Sequence, residues 1–456
     1  FRATGATKLV DVLGGVPGIH VGANSFGFRP LIQFGGANAT QTLLMFNGVP
    51  MRELRWGFGI FWKVLPVSMI GRVEIIRGPG SALFGADASA GVINVISKTA
   101  GTINGDEVGV RTGSFNTQTA WAQSGGNWGG VKVGLTAELY ATDGHDPLIE
   151  SDRQTAADPT ISYAPGTAGY GWRNQDIRFS LEKGNWRLLG DYMRHSALEI
   201  GMTGAGVLDP ITQASDSRYN MDLLYGNADF SENWGLNAEL RYHHLDYTSG
   251  DGFQERPPGY DDGTTTYPIG VINQMSSAER RTTLNVSGLY SGIARHAISL
   301  GAGRTIQDLY YVGHIINDPS NPSQLLDVSD TPSAFAPENA RTINHLYLQD
   351  VWSISDNIEL TAGSRYDNYS VFGDTLDPRL AMVWQNTERL TTKLMYGQAF
   401  RAPSYQELFS QTSYAQPNAD LDPDRSQTIE LALSYSVSKN LQLGVNAFHF
   451  KQQDLI

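Results

Sequence analysis

From about residue 107 to its end the chain alternates. In Val131–Thr142, Val131, Val133, Leu135, Ala137, Leu139 and Ala141 fall on one face, and Lys132, Thr136, Glu138 and Tyr140 on the other. Leu236–His243 sets Leu236, Ala238, Leu240 and Tyr242 against Asn237, Glu239, Arg241 and His243. Gln427–Val437 sets Ile429, Leu431, Leu433, Tyr435 and Val437 against Thr428, Glu430 and Ser434. Alternation over roughly 9 to 11 residues is what a tilted strand needs to cross a bilayer. About fifteen such segments follow one another. Every second connection is a tight polar turn, as at 125–130, 183–185, 231–235, 355–357 and 438–440. The others are mostly long, near 143–175, 195–218, 248–279, 307–341 and 401–426. Short and long connections in alternation predict a membrane barrel, because structureless loops of that length are uncommon in compact soluble domains. A soluble meander such as a propeller has the same faces strand by strand, but it lacks this loop asymmetry and shows a blade-length repeat.

The first hundred residues have another texture. Thr7–Leu13 predicts a short helix capped by Thr4 or Thr7 and stopped by Gly14, Gly15 and Pro17. Short strands are predicted near Ile19–Val21, Thr42–Phe46, Arg72–Ile76 and Val92–Ser97. The last two are nearly continuous in Val and Ile, the mark of strands covered on both faces. The division is therefore a small α/β domain over 1–104 and a barrel over 105–456. Fifteen strands end the chain on the side opposite its entry, and an open sheet edge in lipid leaves backbone groups unpaired. The expectation is an incomplete barrel with C-terminal strands missing, from a chain whose start at Phe1-Arg2-Ala3-Thr4 is not that of a signal peptide.

Composition narrows the classes. The 456 residues carry a net charge of −13, which argues against nucleic acid as a partner. With no cysteine there are no disulfides and no thiolate metal sites. No run of 18 apolar residues is present, so no transmembrane helix is predicted. Fifty glycines fit a β-rich chain with many turns.

The stretch RVEIIRGPGSALFGADASAGVINVISK, Arg72–Lys98, resembles a phosphate loop but lacks its Lys-Ser/Thr. A barrel of about twenty strands has a wide lumen that something must fill. The N-terminal domain suits that role. Val73, Ile75, Val92, Ile93 and Ile96 are its expected core, and Ser81, Ala82, Gly85, Ala86, Ala88, Ser89 and Gly91 allow close backbone approach.

This stretch strongly resembles the plug signature of TonB-dependent outer-membrane receptors. LVDVLGGVPGIHV (9–21), LLMFNGVPM (43–51), VRTGSFNTQTAW (110–121), YGQAFRAPSYQELF (396–409) and ADLDPDRSQTIELALSY (419–435) resemble further family segments in the family's order. The resemblance implies an antiparallel transmembrane β-barrel of 22 strands, about fifteen of them here, with an α/β plug in its lumen. It implies residence in the bacterial outer membrane among its lipids, energy from the TonB-ExbB-ExbD complex, import of a ferric siderophore into the periplasm, and no enzymatic step or cofactor. It also implies a plug–barrel charge cluster at Glu74, Arg77 and Glu430, with Arg77 facing Glu430.

The ligand site is expected at the plug apex, MRELRWGFGIFWK (51–63). Arg52, Arg55 and Lys63 attract an anionic complex, and Trp56, Phe58, Phe61 and Trp62 pack on its apolar parts. The plain alternative is that these aromatics pack beneath loops. Tyr163, Tyr170, Trp172, Tyr260, Tyr310 and Tyr311 are weaker candidates that also fit an interfacial girdle. A haem receptor is disfavoured, because no histidine lies between Phe400-Arg401-Ala402-Pro403 and the PNADL box at 417–421. Cobalamin or another nutrient is the alternative cargo, with Asp251, Asp261 and Asp262 as loop carboxylates that lack calcium-loop spacing. No HExxH or GxSxG pattern supports catalysis. A non-transporting adhesin or a docking receptor is the alternative of a different class.

Overall fold

The computed structural model describes residues 5–23, 30–34, 37–57, 65–103, 105–410 and 416–455. The alternating region forms one antiparallel barrel sheet of seventeen strands. Phe253–Arg256 and Asn321–Asp327 are short flaps, and the other fifteen are long. Burial along Trp172–Lys183 shows how the pattern is used: Trp172, Asn174, Asp176, Arg178 and Ser180 are buried, and Arg173, Gln175 and Ile177 are exposed. In Val131–Thr142, Thr136 and Glu138 are buried while Leu135 and Leu139 are exposed. The barrel is thus apolar outside and polar inside. Leu240, Leu284, Leu346, Leu348, Leu376 and Ile429 lie on the outer band, which only a hydrocarbon surround makes favourable. Exposed Trp128, Trp186, Trp234 and Trp384 stand beside short turns and form a girdle at that rim.

The strands are longer than the expected span. Leu208–Ser231 has 24 residues and His296–Asp318 has 23. Two predicted loops are therefore mostly strand. The 195–218 segment belongs to Trp186–Met202 and Leu208–Ser231, and 307–341 holds the end of His296–Asp318, the Asn321–Asp327 flap and the start of Asn339–Ser355. Outside the apolar layer both faces of a strand are wet, so period-two contrast vanishes although the ladder continues. The strand order brings Leu441–Gln453 beside Gly105–Gly113. At this seam Val108 and Val445 are 82% and 65% exposed.

The N-terminal domain sits in the lumen. Strands β1 (Ile19–Ala23) and β2 (Pro30–Phe34) pair with each other, and its main sheet runs β4 (Val49–Pro50), β3 (Thr42–Phe46), β6 (Gly91–Ser97), β5 (Ile70–Arg77). Central β6 pairs in parallel with β3 and antiparallel with β5, and Val92, Ile93 and Val95 are fully buried. The prediction of two doubly covered strands holds for β6 only. Strand β5 is a sheet edge, so Val73 and Ile75 are only partly buried, and Val95 takes the core place expected of Ile96. The helix spans Leu9–Gly14 and buries Leu9 and Leu13. Its start is held by Asp11, whose carboxylate accepts the Thr7 and Lys8 amides at 3.0 and 3.1 Å. A one-turn helix, Ser81–Phe84, follows Gly80. A Cβ on Gly80 would stand 2.8 Å from Val92 Cγ2, so the backbone there packs directly on β6.

Candidate functional site

The apex segment 51–57 leaves the small β3–β4 hairpin and meets the barrel wall. Opposite charges two residues apart on a strand share one face. On the lumenal face three such pairs are closed ion pairs: Asp176–Arg178 at 2.6 Å, Glu239–Arg241 at 3.0 Å and Arg365–Asp367 at 2.7 Å. Glu279 and Arg281 share the spacing. These charges hold the plug, and mostly by its main chain. Arg241 Nη1 donates to Asn47 O at 2.7 Å and Arg281 Nη1 to Pro50 O at 3.0 Å. Leu54 N donates to Glu279 Oε2 at 2.7 Å, and Arg365 Nη1 reaches Leu83 O at 3.4 Å. The Arg178 guanidinium lies 4.1 Å above the Phe46 ring.

Arg52 and Arg55 were expected to be open to ligand, yet both are buried. Arg52 pairs with Asp87 and donates to Thr40 O at 2.6 Å. Burial, then the positive fields of Arg401 and Arg341, weaken its hold on its proton. The Arg55 guanidinium lies between the rings of Trp56, at 3.6 Å, and Phe335, at 4.0 Å. Trp56 meets Tyr247 edge-on at 5.5 Å. Outer loops close over this group. Tyr405 and Gln406, at the start of the short helix Tyr405–Phe409, donate their amides to Leu54 O and Arg55 O at 3.1 and 2.8 Å. Tyr405, Phe335 and Ala336 pack on Leu54. Gly57 has φ +72, and a Cβ there would stand 2.8 Å from Ser404 Cβ. Phe58, Phe61, Trp62 and Lys63 lie outside the described residues.

The charge cluster differs from expectation. Arg77 is exposed and donates to Pro17 O at 3.0 Å, and Glu74 pairs with Arg72 at 2.7 Å on the same edge strand. Glu430 is buried on the wall, accepts from Asn446 Nδ2 at 2.6 Å and faces Gly78, whose Cβ position is 3.3 Å from Oε2. No ion pair joins Arg77 to Glu430: Arg77 turns to Pro17 O and Glu430 to Asn446. The wall arginines do the gripping, and their i, i+2 spacing to a carboxylate is the signal that could have identified them.

The weaker aromatic candidates are dispersed. Tyr163 and Tyr170 pack in a loop cluster with Leu208, and Tyr260 lies 6.0 Å from Tyr267 in one hairpin. Trp172 stacks on Tyr140 at 5.6 Å, and Lys8 Nζ sits 4.4 Å from the Trp172 ring while bonding Tyr140 Oη at 2.7 Å. Tyr310 bonds His244 Nε2 at 2.7 Å, and Tyr311 is exposed. Asp261 and Asp262 accept hydrogen bonds within their own hairpin, from Thr266 and Thr264.

The model for the TonB-dependent Receptor Plug Domain matches residues 1–92, and the TonB dependent receptor-like beta-barrel model matches 171–456. The chain belongs to the TonB-dependent receptor family. It is 26% identical over 461 residues to the vitamin B12 transporter BtuB of Vibrio vulnificus, covering 94% of this chain and 62% of that protein. It is 23% identical over 491 residues to the ferric enterobactin receptor of Pseudomonas aeruginosa, covering 94% of this chain and 63% of the relative. The chain thus spans less than two thirds of these curated relatives. Among solved structures, a mutant ferric enterobactin receptor of P. aeruginosa superposes with a TM-score of 0.76 at 19% identity, over 98% of this chain and 69% of the other. The copper transporter OprC gives 0.74 at 15% identity, over 98% and 69%. Likeness at that identity establishes the shared receptor fold, a plugged transmembrane barrel, and leaves the cargo to be argued from this receptor's own residues.

Proposed function

We propose that this receptor imports a ferric siderophore through the bacterial outer membrane into the periplasm, driven by the TonB-ExbB-ExbD complex. The observation that carries this reading is the basic, aromatic apex beneath the outer loops, where Arg55 lies between Trp56 and Phe335 and Arg52 lies close by. Stacked guanidinium and indole faces suit the flat, anionic arms of a ferric chelate. The plug stands in the lumen, so passage requires work on it. Cobalamin is the second reading, supported by the burial and prior pairing of Arg52, which leaves less free charge at the apex than an anionic cargo would use best.

The test expresses the full-length receptor in an iron-starved host that lacks its own siderophore receptors. Uptake of radioactive iron as ferric catecholate and ferric hydroxamate is followed with and without TonB, beside radiolabelled cobalamin. TonB-dependent iron uptake is expected. Cobalamin uptake alone would replace the cargo and keep the mechanism. Binding of these compounds or of cells without TonB-dependent uptake would favour a docking receptor or an adhesin.

A further inference from the structure

A cavity of about 370 Å³ lies between the plug and the wall. Its plug side is the β3–β4 hairpin with the apex segment as far as Gly57, and residues 83–87. Its wall side is the lumenal face of five strands, from Trp234–Thr248 round to Ile358–Tyr369. On Val271–Tyr290 the lining follows alternate residues, Arg281, Thr283, Asn285 and Ser287, and on Asn339–Ser355 it follows alternate residues from Arg341 to Tyr347. Six residues of strand cover about 20 Å. The cavity is therefore a slot that runs along the strands. It begins under the apex, beside Gly57 and Ser404, and reaches Ser287, close to the short-turn end of its strand at Tyr290. Across the lumen, at the strands from Gly105–Gly113 to Trp186–Met202, plug and wall are in direct contact. A Cβ on Gly134 would stand 2.5 Å from Ala100 N, and one on Gly125 2.8 Å from Ile103 O. Ala100 N donates to Ser180 Oγ at 3.0 Å, and Lys98 Nζ to Gln123 Oε1 at 2.9 Å. Met193 is 1% exposed and belongs to the plug's main core. From Ile103 the chain itself continues into the wall strand Gly105–Gly113.

The two sides yield at different cost. Parting plug from wall at Met193 uncovers close-packed apolar surface and pulls on a covalent link. Along the slot the hairpin is held by single hydrogen bonds to carbonyls, from Arg241 to Asn47 O and from Arg281 to Pro50 O, and these can be exchanged for water. The slot has room for roughly a dozen waters in file, so a chelate passes only if the hairpin moves aside. We propose that cargo passes along this slot, between the β3–β4 hairpin and the wall strands from Trp234–Thr248 to Ile358–Tyr369, while the plug stays seated on the side of its covalent link. This rests on the import reading and adds the path. Thr283, Asn285 and Ser287 continue the polar lining beyond the arginines, so a hydrophilic cargo keeps hydrogen-bond partners on its way.

The experiment uses the full-length receptor with single engineered cysteines, since this chain has none of its own. Ser287→Cys places a thiol at the short-turn end of the slot. Ser434→Cys places one on the lumenal face of Asp424–Ser438, similarly near its strand end and away from the slot, and both positions are half-buried. Each is reacted with a bulky maleimide, the adduct is confirmed by mass, and uptake is followed with whichever ferric siderophore or cobalamin the wild type imports. The adduct at Ser287→Cys should abolish TonB-dependent uptake, and the adduct at Ser434→Cys should leave it intact. Uptake that survives the first adduct, or is lost with the second, overturns the path. A second measurement needs no cargo. Ile343→Cys, buried on the slot side, and Met193→Cys, buried on the packed side, are labelled in detergent across a urea series. Ile343→Cys should be labelled at the lower urea concentration. Coincident midpoints, or the reverse order, overturn the proposal. A wild-type receptor that imports none of the compounds would refute the import reading, and the order of labelling would still report which side of the plug yields.

Discussion

Replacing Arg241 by methionine tests whether the wall grips the plug by its main chain. Its guanidinium donates to Asn47 O at 2.7 Å and is paired with Asp222 and Glu239, each at 3.0 Å. Asp222 is almost fully buried. Removing the cation strands that carboxylate, which typically costs about 3–5 kcal/mol, and also removes the plug contact. The triple variant Arg241→Met, Asp222→Asn, Glu239→Gln removes the stranded charges together with the cation. What remains is the lost bond to Asn47, about 1.5–3 kcal/mol for a charged donor. The single variant should therefore be the less stable of the two, by roughly 3–5 kcal/mol, the cost of the stranded charge. The assay is protease cleavage within the plug across a urea series in detergent, where the barrel itself resists. Urea midpoints are converted to free energy with the slope of each curve. A loss below about 1 kcal/mol in Arg241→Met, the range of an exposed pair, would refute the grip. So would a triple variant no more stable than the single one.

Arg77→Ala should cost less than about 1 kcal/mol in the same assay, because the group is exposed and loses one bond to Pro17 O; a loss as large as that of Arg241→Met would restore the Arg77–Glu430 lock. Gly57→Ala combines a φ of +72 with a Cβ 2.8 Å from Ser404, so it should lift the 402–410 segment and speed amide exchange at Tyr405 and Gln406, and unchanged exchange would sink that contact as a latch. Gly80→Ala places a methyl group 2.8 Å from Val92 Cγ2 and should lower plug stability by about 1–3 kcal/mol through overpacking, measured by the urea midpoint. Burial drives the Lys8 ammonium down to about 8, against the pull of Asp11 and Glu138. The unfolded chain then binds the extra proton between about pH 8 and the ordinary lysine value, so plug stability should rise with pH across that window and stay flat in Lys8→Met.

The barrel was readable because its selection rule is simple: lipid demands apolar residues at every second position, and Leu135, Leu139, Leu240 and Ile429 obey it. The rule stops at the edge of the apolar layer, which is why Asp216–Arg218, paired on both sides, read as loop. The plug was readable from its Gly/Ala tract and the Val92–Val95 run, while the edge character of β5 was not, since a run of Val and Ile does not reveal which neighbour is absent. The apex was located in sequence, but its state was not. Arg52 and Arg55 look like free cations until Asp87, Phe335 and the Tyr405 helix are brought onto them from up to some 350 positions away.

The wall's choice of main-chain acceptors explains why the plug's own side chains were a poor guide to the interface. A carbonyl at Asn47, Pro50 or Leu83 offers the same acceptor whatever residue carries it, so the complementarity is written in barrel arginines and in the path of the plug backbone. Each such bond is modest, and the expensive part of the interface is the buried carboxylate that each arginine also neutralises. The closed pairs on the wall remain intact when a carbonyl withdraws, as Arg241 keeps Asp222 and Glu239, and Arg365 keeps Asp367. Displacing the plug at those points therefore costs a hydrogen bond, not an unpaired charge. Arg281 is held differently: it gives both terminal nitrogens to plug carbonyls, Pro50 O and Arg52 O, while Glu279 on its own face, the nearby carboxylate, bonds the Leu54 amide. Withdrawing the plug there breaks three bonds together and leaves Glu279 and Arg281 to neutralise each other, so even this point costs hydrogen bonds more than it costs an unpaired charge.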